Sequence, residues 1–257
     1  MPEAVYLPDR GGFLPTELAR GPWDPEAQHG GAPAALLATL LRNHDATAGL
    51  ALVRITVEFL RPVPLTRLEA SVNVVRPGRR VVLVEAELLS EGVAVCRALG
   101  LCVRPAPEGV GSAQSVVPPA DRPGRRTSGA PDAGGTSFGS GAVELRFAEG
   151  DWSPGPATVW TRLLVPVVAG WPTPPLARTV AAADFANGVA APLDFADWVF
   201  INPDLTVYFD REPAGEWVCL RAASRVHAGA AGISESELFD EDGRIGRGVQ
   251  ALYIAPR

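Results

Sequence analysis

The strongest constraint on the fold of this chain of 257 residues is an internal repeat at an offset of 150 residues. Segments centred on Phe59 and Phe209 share residue types at equal spacing, and two later acidic segments do the same. The matching residues, first copy before second, are Val57 and Val207, Phe59 and Phe209, Arg61 and Arg211, Glu85 and Glu235, Glu87 and Glu237, Leu88 and Leu238, and Arg97 and Arg247. A repeat of this length indicates duplication of a whole domain rather than a solenoid of short units.

A stretch of different composition separates the two copies. Residues 105–141 are dominated by Pro, Gly, Ser and Ala and show no apolar periodicity, which is typical of a linker. We therefore predict an N-terminal domain over residues 1–104 and a C-terminal domain over residues 142–257, joined by the linker at 105–141.

The first copy contains one helix followed by several strands. Residues 32–42 are apolar on almost all sides, which predicts a buried helix. From Val53 to Phe59 apolar and polar residues alternate, which predicts a strand with one buried face. Further strands are predicted at 70–76, 81–89 and 93–103, separated by glycine-containing turns. This order predicts an α+β domain in which an antiparallel sheet wraps around a helix.

The charged residues exclude some functions. All 23 cationic residues are arginine, and the formal net charge is −6. The lack of lysine excludes a Schiff-base or P-loop lysine, and the acidic balance argues against a surface for nucleic acid. Three cysteines cannot build a disulfide framework, so we expect a reduced, cytoplasmic setting. We expect no signal peptide, because the first residues show no basic segment followed by an apolar one. We expect no membrane span, because no apolar run reaches roughly 18 residues.

A metal centre is not expected. His29, His44 and His227 have no histidine, cysteine or glutamate partner three or four residues further along a helix. Cys96 and Cys102 lie six residues apart on one strand, too far for a single tetrahedral site.

A serine nucleophile is also disfavoured. Residues 135–139 read Gly-Thr-Ser-Phe-Gly and fit the Gly-x-Ser-x-Gly pattern. A nucleophile elbow needs a strand before the serine and a helix after it, whereas this match lies in the predicted linker. We interpret it as a chance match in a glycine- and serine-rich stretch.

The segment Gln28-His29-Gly30-Gly31 opens the buried helix. Glycines there permit close approach of another backbone or a ligand, and free N–H groups at a helix N-terminus suit a carbonyl oxygen or an oxyanion. An equally supported interpretation is that His29 caps the helix while the glycines only turn the chain. Spacing alone leaves both open.

Three polar residues of the second copy are candidates for holding a water molecule. Asp184 lies in an alanine-rich segment, where a buried carboxylate is costly unless it is bonded or used, although aspartate is also a common helix cap. Gln250 shares a strand face with glycines, which often mark close approach, although an ordinary edge-strand glutamine fits as well. Asn202 precedes a proline, as turn residues commonly do. Spacing does not show whether the three converge.

Several motifs resemble those of the TesB-like (type II) acyl-CoA thioesterases of the thioesterase-like superfamily. They are Gly21-Pro22-Trp23-Asp24, the run from Gln28 to Leu37, Val159-Trp160-Thr161-Arg162, the segment around Asp184, Asp204-Leu205-Thr206-Val207, Arg211 with Gly215-Glu216-Trp217-Val218, and Gly246-Arg247 with Gln250. The resemblance covers nearly the whole chain outside the linker. The ordered occurrence of the first-copy and second-copy motifs makes it specific.

The resemblance implies a double hotdog fold and hydrolysis of fatty acyl-CoA to free acid and CoA, without a metal or organic cofactor. It implies a water held by an Asp on the second hotdog helix, a Thr or Ser on a following strand, and a Gln on the last strand. Asp184 and Gln250 match the first and third positions. Asn202 occupies the second, where this sequence departs from the family pattern. Thr206 is the nearest hydroxyl and serves as a backup.

From this resemblance we expect direct hydrolysis of acyl-CoA. Asp184 is the expected general base, and Asn202 and Gln250 are expected to orient the water. Substrate-binding residues are expected at the helix N-terminus, namely His29, Gly30 and Gly31.

Three alternatives remain open. Asn202 favours a non-catalytic acyl-CoA or acyl-lipid binding module. A hydratase or dehydratase is disfavoured because no Asp–His pair is apparent, since His29 and Asp184 belong to different copies. A scaffold role follows from the tendency of hotdog sheets to pair at their edges, which also predicts a dimer or tetramer. Acyl chain length is expected to depend on how five aromatic residues close a tunnel: Trp160, Trp171, Trp198, Phe185 and Phe195.

Overall fold

The computed structural model describes residues 2–107, 109–110, 121–124 and 135–257. Within these ranges the strands are β1 (Tyr6–Asp9), β2 (Gly12–Pro15), β3 (Ala51–Phe59), β4 (Glu69–Arg76), β5 (Val81–Ser90), β6 (Val93–Val103), β7 (Val143–Glu149), β8 (Ala157–Leu163), β9 (Trp198–Ile201), β10 (Asp204–Phe209), β11 (Trp217–Val226), β12 (Gly232–Asp240) and β13 (Gly243–Pro256). The α-helices are α1 (Gly31–Asn43), α2 (Pro175–Ala183) and α3 (Ala186–Val189).

One antiparallel sheet spans both copies of the repeat. Strands β1 and β2 form a small hairpin of their own, and the other strands form an 11-stranded sheet. Its order is β4-β5-β6-β3-β10-β13-β12-β11-β8-β7, with β9 paired to β13. The two copies therefore meet at the central pair, β3 and β10, which confirms the predicted α+β class and the double hotdog.

The register of this central pair shows the symmetry of the duplication. Thr56 lies opposite Thr206, and Glu58 lies opposite Asp204. The hydroxyl of Thr206 donates to that of Thr56 at 3.2 Å, so two residues exactly one repeat apart face each other at the centre of the sheet. A pseudo-two-fold axis passes between them.

Strand pairing inside each copy repeats with the same offset. Val57 pairs with Ala98 on β6, and Val207 pairs with Gly248 on β13. Each pair differs from the other by 150 residues at both positions. The internal repeat predicted from sequence is therefore confirmed at the level of backbone register.

The helices lie against one face of the sheet and against each other. Helix α1 contacts β3, β5 and β6, and it crosses α2. Every residue of α1 from Gly31 to Thr39 is buried, as the all-round apolar pattern predicts. Leu36 and Leu37 are completely buried, and each contributes roughly 1.5–3 kcal/mol through removal of its side chain from water.

The predicted linker only partly coincides with irregular structure. Residues 108, 111–120 and 125–134 lie outside the described ranges. Phe138–Ala142 forms a short helical turn, and Phe138 is buried in the core, so the linker does not extend to residue 141 as irregular chain. A single large aromatic residue anchors this segment despite its glycine- and serine-rich composition.

Pairing of the two copies occurs within one chain. The edge-to-edge contact that motivated a prediction of dimers or tetramers is already made by β3 and β10. Association of whole chains stays a prediction. Among the described helices, none has both the length and the apolar character needed to cross a bilayer.

Candidate active site

A cavity of about 480 Å³ opens where the two copies meet. His29, Gly30 and Phe59 of the first copy line it, together with Asp184 and Asn202 of the second. Such a volume lies within the range of roughly 300–1,000 Å³ that is typical of small-molecule sites. Four of the six sequence-predicted residues therefore line one cavity, whereas Gly31 and Gln250 do not line it.

The loop before α1 is held rigidly by Gln28. Its side-chain oxygen accepts a hydrogen bond from Tyr6 at 2.5 Å, and its side-chain nitrogen donates to the Pro64 carbonyl at 2.7 Å. Burial raises the pKa of the Tyr6 hydroxyl well above its usual value, and the nearby Cys96 thiol adds to the effect, so the hydroxyl stays protonated as a donor. Gln28 therefore fixes the approach to the helix.

The two glycines of this motif are required by close packing. A Cβ atom on Gly30 would lie 2.9 Å from both carboxylate oxygens of Asp184. A Cβ atom on Gly31 would lie 2.9 Å from the Ala181 carbonyl oxygen of α2. The close approach expected from the sequence is thus present, and it involves the second copy of the same chain.

Asp184 lies at the break between α2 and α3 and is 3% exposed. Its Oδ1 accepts hydrogen bonds from Asn202 Nδ2 at 2.9 Å and from Gln250 Nε2 at 3.4 Å. The backbone of Asp184 occupies the C-cap position of α2, but its side chain does not cap the start of α3. The carboxylate instead accepts hydrogen bonds from the side-chain amides of Asn202 and Gln250.

An Asp–His pair is present, contrary to the expectation from sequence. Nδ1 of His29 lies 3.1 Å from Oδ2 of Asp184. The sequence argument was wrong because it treated the two copies as separate. The pairing of β3 with β10 brings the start of α1 against the end of α2.

The same histidine nitrogen also contacts the backbone. The N–H of Gly31 lies 3.0 Å from Nδ1 of His29 and can donate to it. A protonated Nδ1 donates to Asp184, whereas an unprotonated Nδ1 accepts from Gly31, so the tautomer of His29 selects between two partners. The ring is held between Phe185, at 4.4 Å between centroids, and Phe138, at 5.1 Å.

Gln250 supports Asp184 from behind the cavity. It is 1% exposed and does not line the cavity, and its nitrogen also contacts the Asp184 carbonyl oxygen at 3.3 Å. Its side-chain oxygen has no hydrogen-bond partner within the described ranges. The role expected for Gln250 in orienting a water molecule stays a prediction, and the contacts described here are with Asp184.

Asn187 is a site residue that sequence reasoning missed. It lines the cavity, and its nitrogen lies 3.2 Å from the Phe200 carbonyl and 3.5 Å from Asn202 Oδ1. Its position three residues after Asp184 places it one turn further along the chain, and that spacing was an available signal. Thr206 is not a substitute hydroxyl, since it bonds Thr56 at the pseudo-two-fold axis.

Only some of the expected tunnel aromatics are near the site. Phe185 and Phe195 line a second cavity of about 50 Å³ that shares His29 with the first. Trp160 instead packs in a separate cluster with Trp217, and Trp171 packs against Phe13 at 5.8 Å. The alternation of β8 could not reveal this, because its first five residues are all buried.

Other nucleophiles are not favoured in the described part of the chain. Ser137 accepts a hydrogen bond from the Ser140 N–H and caps the short helix, which supports its interpretation as a chance match. Cys96, Cys102 and Cys219 are free and buried. Burial raises the pKa of Cys102 to about 11 and that of Cys219 to about 12, and it raises the pKa of Cys96 further. No group of three or more potential metal ligands occurs among the described residues.

Comparison with known families identifies both halves. Residues 19–103 match the acyl-CoA thioesterase N-terminal domain, and residues 114–254 match the acyl-CoA thioesterase C-terminal domain. A search of curated proteins gave no match.

Solved structures share the fold at low sequence identity. A protein of unknown function with a hot dog fold from Alicyclobacillus acidocaldarius aligns with a TM-score of 0.71 at 17% identity, covering 99% of this chain and 97% of that one. The acyl-CoA thioesterase II TesB2 from Mycobacterium marinum gives 0.64 at 17% identity, with 94% and 96% covered. The dehydratase domain from the CurJ module of curacin polyketide synthase gives 0.52 at 14% identity, with 88% and 83% covered. The two family matches and this shared architecture show that the chain belongs to the TesB-like family of acyl-CoA thioesterases.

Proposed function

We propose that this protein hydrolyses acyl-CoA thioesters by direct attack of water, with Asp184 as the general base. The observation that carries the proposal is the buried Asp184 carboxylate at the wall of the 480 Å³ cavity, held by Asn202 and Gln250. A carboxylate accepts about four hydrogen bonds, so Asp184 retains capacity for a water molecule.

The chemical steps use groups of both copies. Asp184 takes a proton from water as the water oxygen attacks the thioester carbonyl carbon, and a tetrahedral oxyanion forms. The oxyanion collapses, the carbon–sulfur bond breaks, and the thiolate of CoA leaves and takes up the proton held by Asp184, which regenerates the carboxylate. A positioned general base contributes on the order of 10²–10⁴ in rate.

His29 links the base to the oxyanion donors. When its Nδ1 donates to Asp184, the Gly31 N–H is released from Nδ1 and can donate to the substrate oxygen. The N–H groups of Gly30 and Gly31 lie at the N-terminus of α1, where the helix dipole also favours negative charge. In this proposal His29, Gly30 and Gly31 are the residues that serve the substrate.

Asn202 can replace the family hydroxyl. Its Nδ2 donates to Asp184 as a threonine hydroxyl would, so the departure retains a hydrogen bond to the base. This argues for catalysis over the non-catalytic binding module.

The test is release of free thiol from short, medium and long acyl-CoAs by the wild type and by Asp184→Asn. We expect the rate to fall by about 10²–10⁴ with the unfolding temperature little changed. Asp197→Asn, on an exposed carboxylate, is the matched control and should retain full activity. Hydrolysis that survives Asp184→Asn would reject the assignment of the base, and no hydrolysis by the wild type would favour the binding module.

The His29–Asp184 contact favours a second candidate, a hydratase or dehydratase. An adjacent histidine and carboxylate at the cavity wall could together take a proton from carbon and return one to the departing hydroxyl group of a 3-hydroxyacyl thioester. Incubation with 3-hydroxyacyl-CoA and 2-enoyl-CoA distinguishes the candidates, because interconversion without thiol release would identify the second.

A further inference from the structure

The two copies of the repeat use a matching arginine differently. Arg211 follows β10 and makes a two-pronged ion pair with Asp240, one contact being 2.7 Å. Asp240 is 1% exposed and also accepts from the N–H groups of Ala214 and Asp242, each at 3.0 Å. In the second copy, therefore, Arg211 links the segment after β10 to the hairpin formed by β12 and β13.

The described residues of the first copy form no corresponding ion pair. Ser90 occupies the position of Asp240, and its hydroxyl contacts Thr66 at 3.1 Å. Arg61, the counterpart of Arg211, is exposed and forms no ion pair with any residue in the described ranges. It lies instead on the wall of the 480 Å³ cavity.

Aromatic and charged side chains lie near Arg61 at the same cavity. Tyr253, which is 64% exposed, and Trp23 line the same cavity. Asp24 also lines it, but one of its oxygens accepts from the Glu26 N–H at 2.9 Å. The guanidinium of Arg257 lies 5.5 Å from the Trp23 ring centroid. Arg61 is the lining residue with an unpaired positive charge in this part of the structure.

We propose that Arg61 binds a phosphate ester of the acyl carrier at the cavity mouth. The proposal rests on the proposed function, because a pantetheine arm carrying a thioester to Asp184 would place its phosphate end outside the cavity. A guanidinium suits a phosphate because two parallel N–H donors match two phosphate oxygens. The shared chemistry is a phosphate ester on pantetheine, whether from CoA or from a carrier protein.

The test compares carriers with and without phosphate in the wild type and in Arg61→Ala. We expect KM for an acyl-CoA to rise on the order of tenfold with kcat little changed. The corresponding acyl-pantetheine, which lacks phosphate, should be hydrolysed equally by both proteins. Arg61→Lys should give a KM between those of the wild type and Arg61→Ala, because lysine restores the positive charge but not the paired N–H donors of the guanidinium. Arg76→Ala removes another exposed arginine, one on β4 outside the cavity lining, and is the matched control.

Acyl-phosphopantetheine separates the two sources of the phosphate. A loss shared by acyl-CoA and acyl-phosphopantetheine assigns Arg61 to the phosphate next to pantetheine, which a carrier protein also has. A loss confined to acyl-CoA assigns it to the phosphates found only in CoA. An equal loss on acyl-pantetheine would overturn the proposal.

Direct binding keeps this test independent of catalysis. Should the wild type hydrolyse no thioester, the proposed function fails, and calorimetric titration with CoA still decides the role of Arg61. Weaker CoA binding by Arg61→Ala than by Arg76→Ala supports the phosphate site. Equal binding by the two variants, or no CoA binding by the wild type, overturns it.

Discussion

The two copies of the duplicated domain share one sheet, but the buried residues at equivalent positions differ in chemistry. In the second copy Gln250 and Asn202 surround the carboxylate of Asp184. In the first copy the corresponding strand positions are Gly100 and Leu52, and α1 carries no acidic residue.

The first copy fills the equivalent space with apolar groups. A Cβ atom on Gly100 would lie 3.0 Å from Leu52 and 3.2 Å from Leu41. The backbone register is thus the same in both copies, but the second copy buries polar side chains where the first copy buries closely packed apolar ones. The difference teaches that the duplication builds one site, to which the first copy contributes the start of α1 and the second copy contributes the buried carboxylate of Asp184.

The largest stability difference is expected between the two matching arginines. Arg211→Ala leaves the buried Asp240 without its ion-pair partner, and we expect a loss of about 2–3 kcal/mol. Arg61→Ala removes no such pair and should change stability by less than about 0.5 kcal/mol. Urea unfolding of both variants measures this. Equal losses would show that the arginines hold both hairpins alike and would remove the basis for the phosphate site.

Gly30→Ala tests the contribution of the first copy to the site. The added methyl group would lie 2.9 Å from Asp184 and from Phe59, so we expect a loss of about 1–3 kcal/mol and a lower kcat. Gly188→Ala in α3 is the control, because nothing lies within 4 Å of its Cβ position and a helical alanine is favoured. Thermal unfolding and thiol release should separate the two variants, and a fully active Gly30→Ala would show that the contact is dispensable.

Regular elements of the first copy could be predicted closely. The predicted strands at 81–89 and 93–103 correspond to Val81–Ser90 and Val93–Val103, because alternation of apolar residues reports directly on a half-buried strand. The predicted helix at 32–42 corresponds to Gly31–Asn43. These features depend on residues close together in sequence.

Contacts between the two copies could not be predicted in the same way. The pairing of His29 with Asp184 depends on how α1 and α2 cross, and no local pattern encodes that crossing. Trp160 lies in a cluster separate from the main core, and the composition of β8 could not reveal this because that strand is buried on both faces. The convergence of Asp184, Asn202 and Gln250 likewise required the fold.

Gln250→Met tests whether this residue acts through Asp184. Methionine has a similar length but no donor, so the carboxylate loses one hydrogen bond from behind. We expect kcat to fall about tenfold with KM unchanged, since Gln250 does not line the cavity. Leu252→Met, at a buried position two residues further along β13, is the control, because it conserves volume, and it should leave kcat unchanged. A rise in KM alone would place Gln250 in contact with substrate instead.

The smallest expected effect comes from restoring the missing acid in the first copy. Ser90→Asp places a carboxylate at the position where Asp240 holds Arg211, and it should draw Arg61 into a similar pair. Because the Arg61 side chain is exposed, we expect this pair to contribute roughly 0.2–1 kcal/mol, so CoA binding should weaken by up to about fivefold. Calorimetric titration measures the change, and Ser90→Asn controls for the size of the side chain. If Ser90→Asp is more stable than the wild type but binds CoA equally well, Arg61 pairs with the new carboxylate without weakening CoA binding. That result would show that Arg61 does not bind the phosphate.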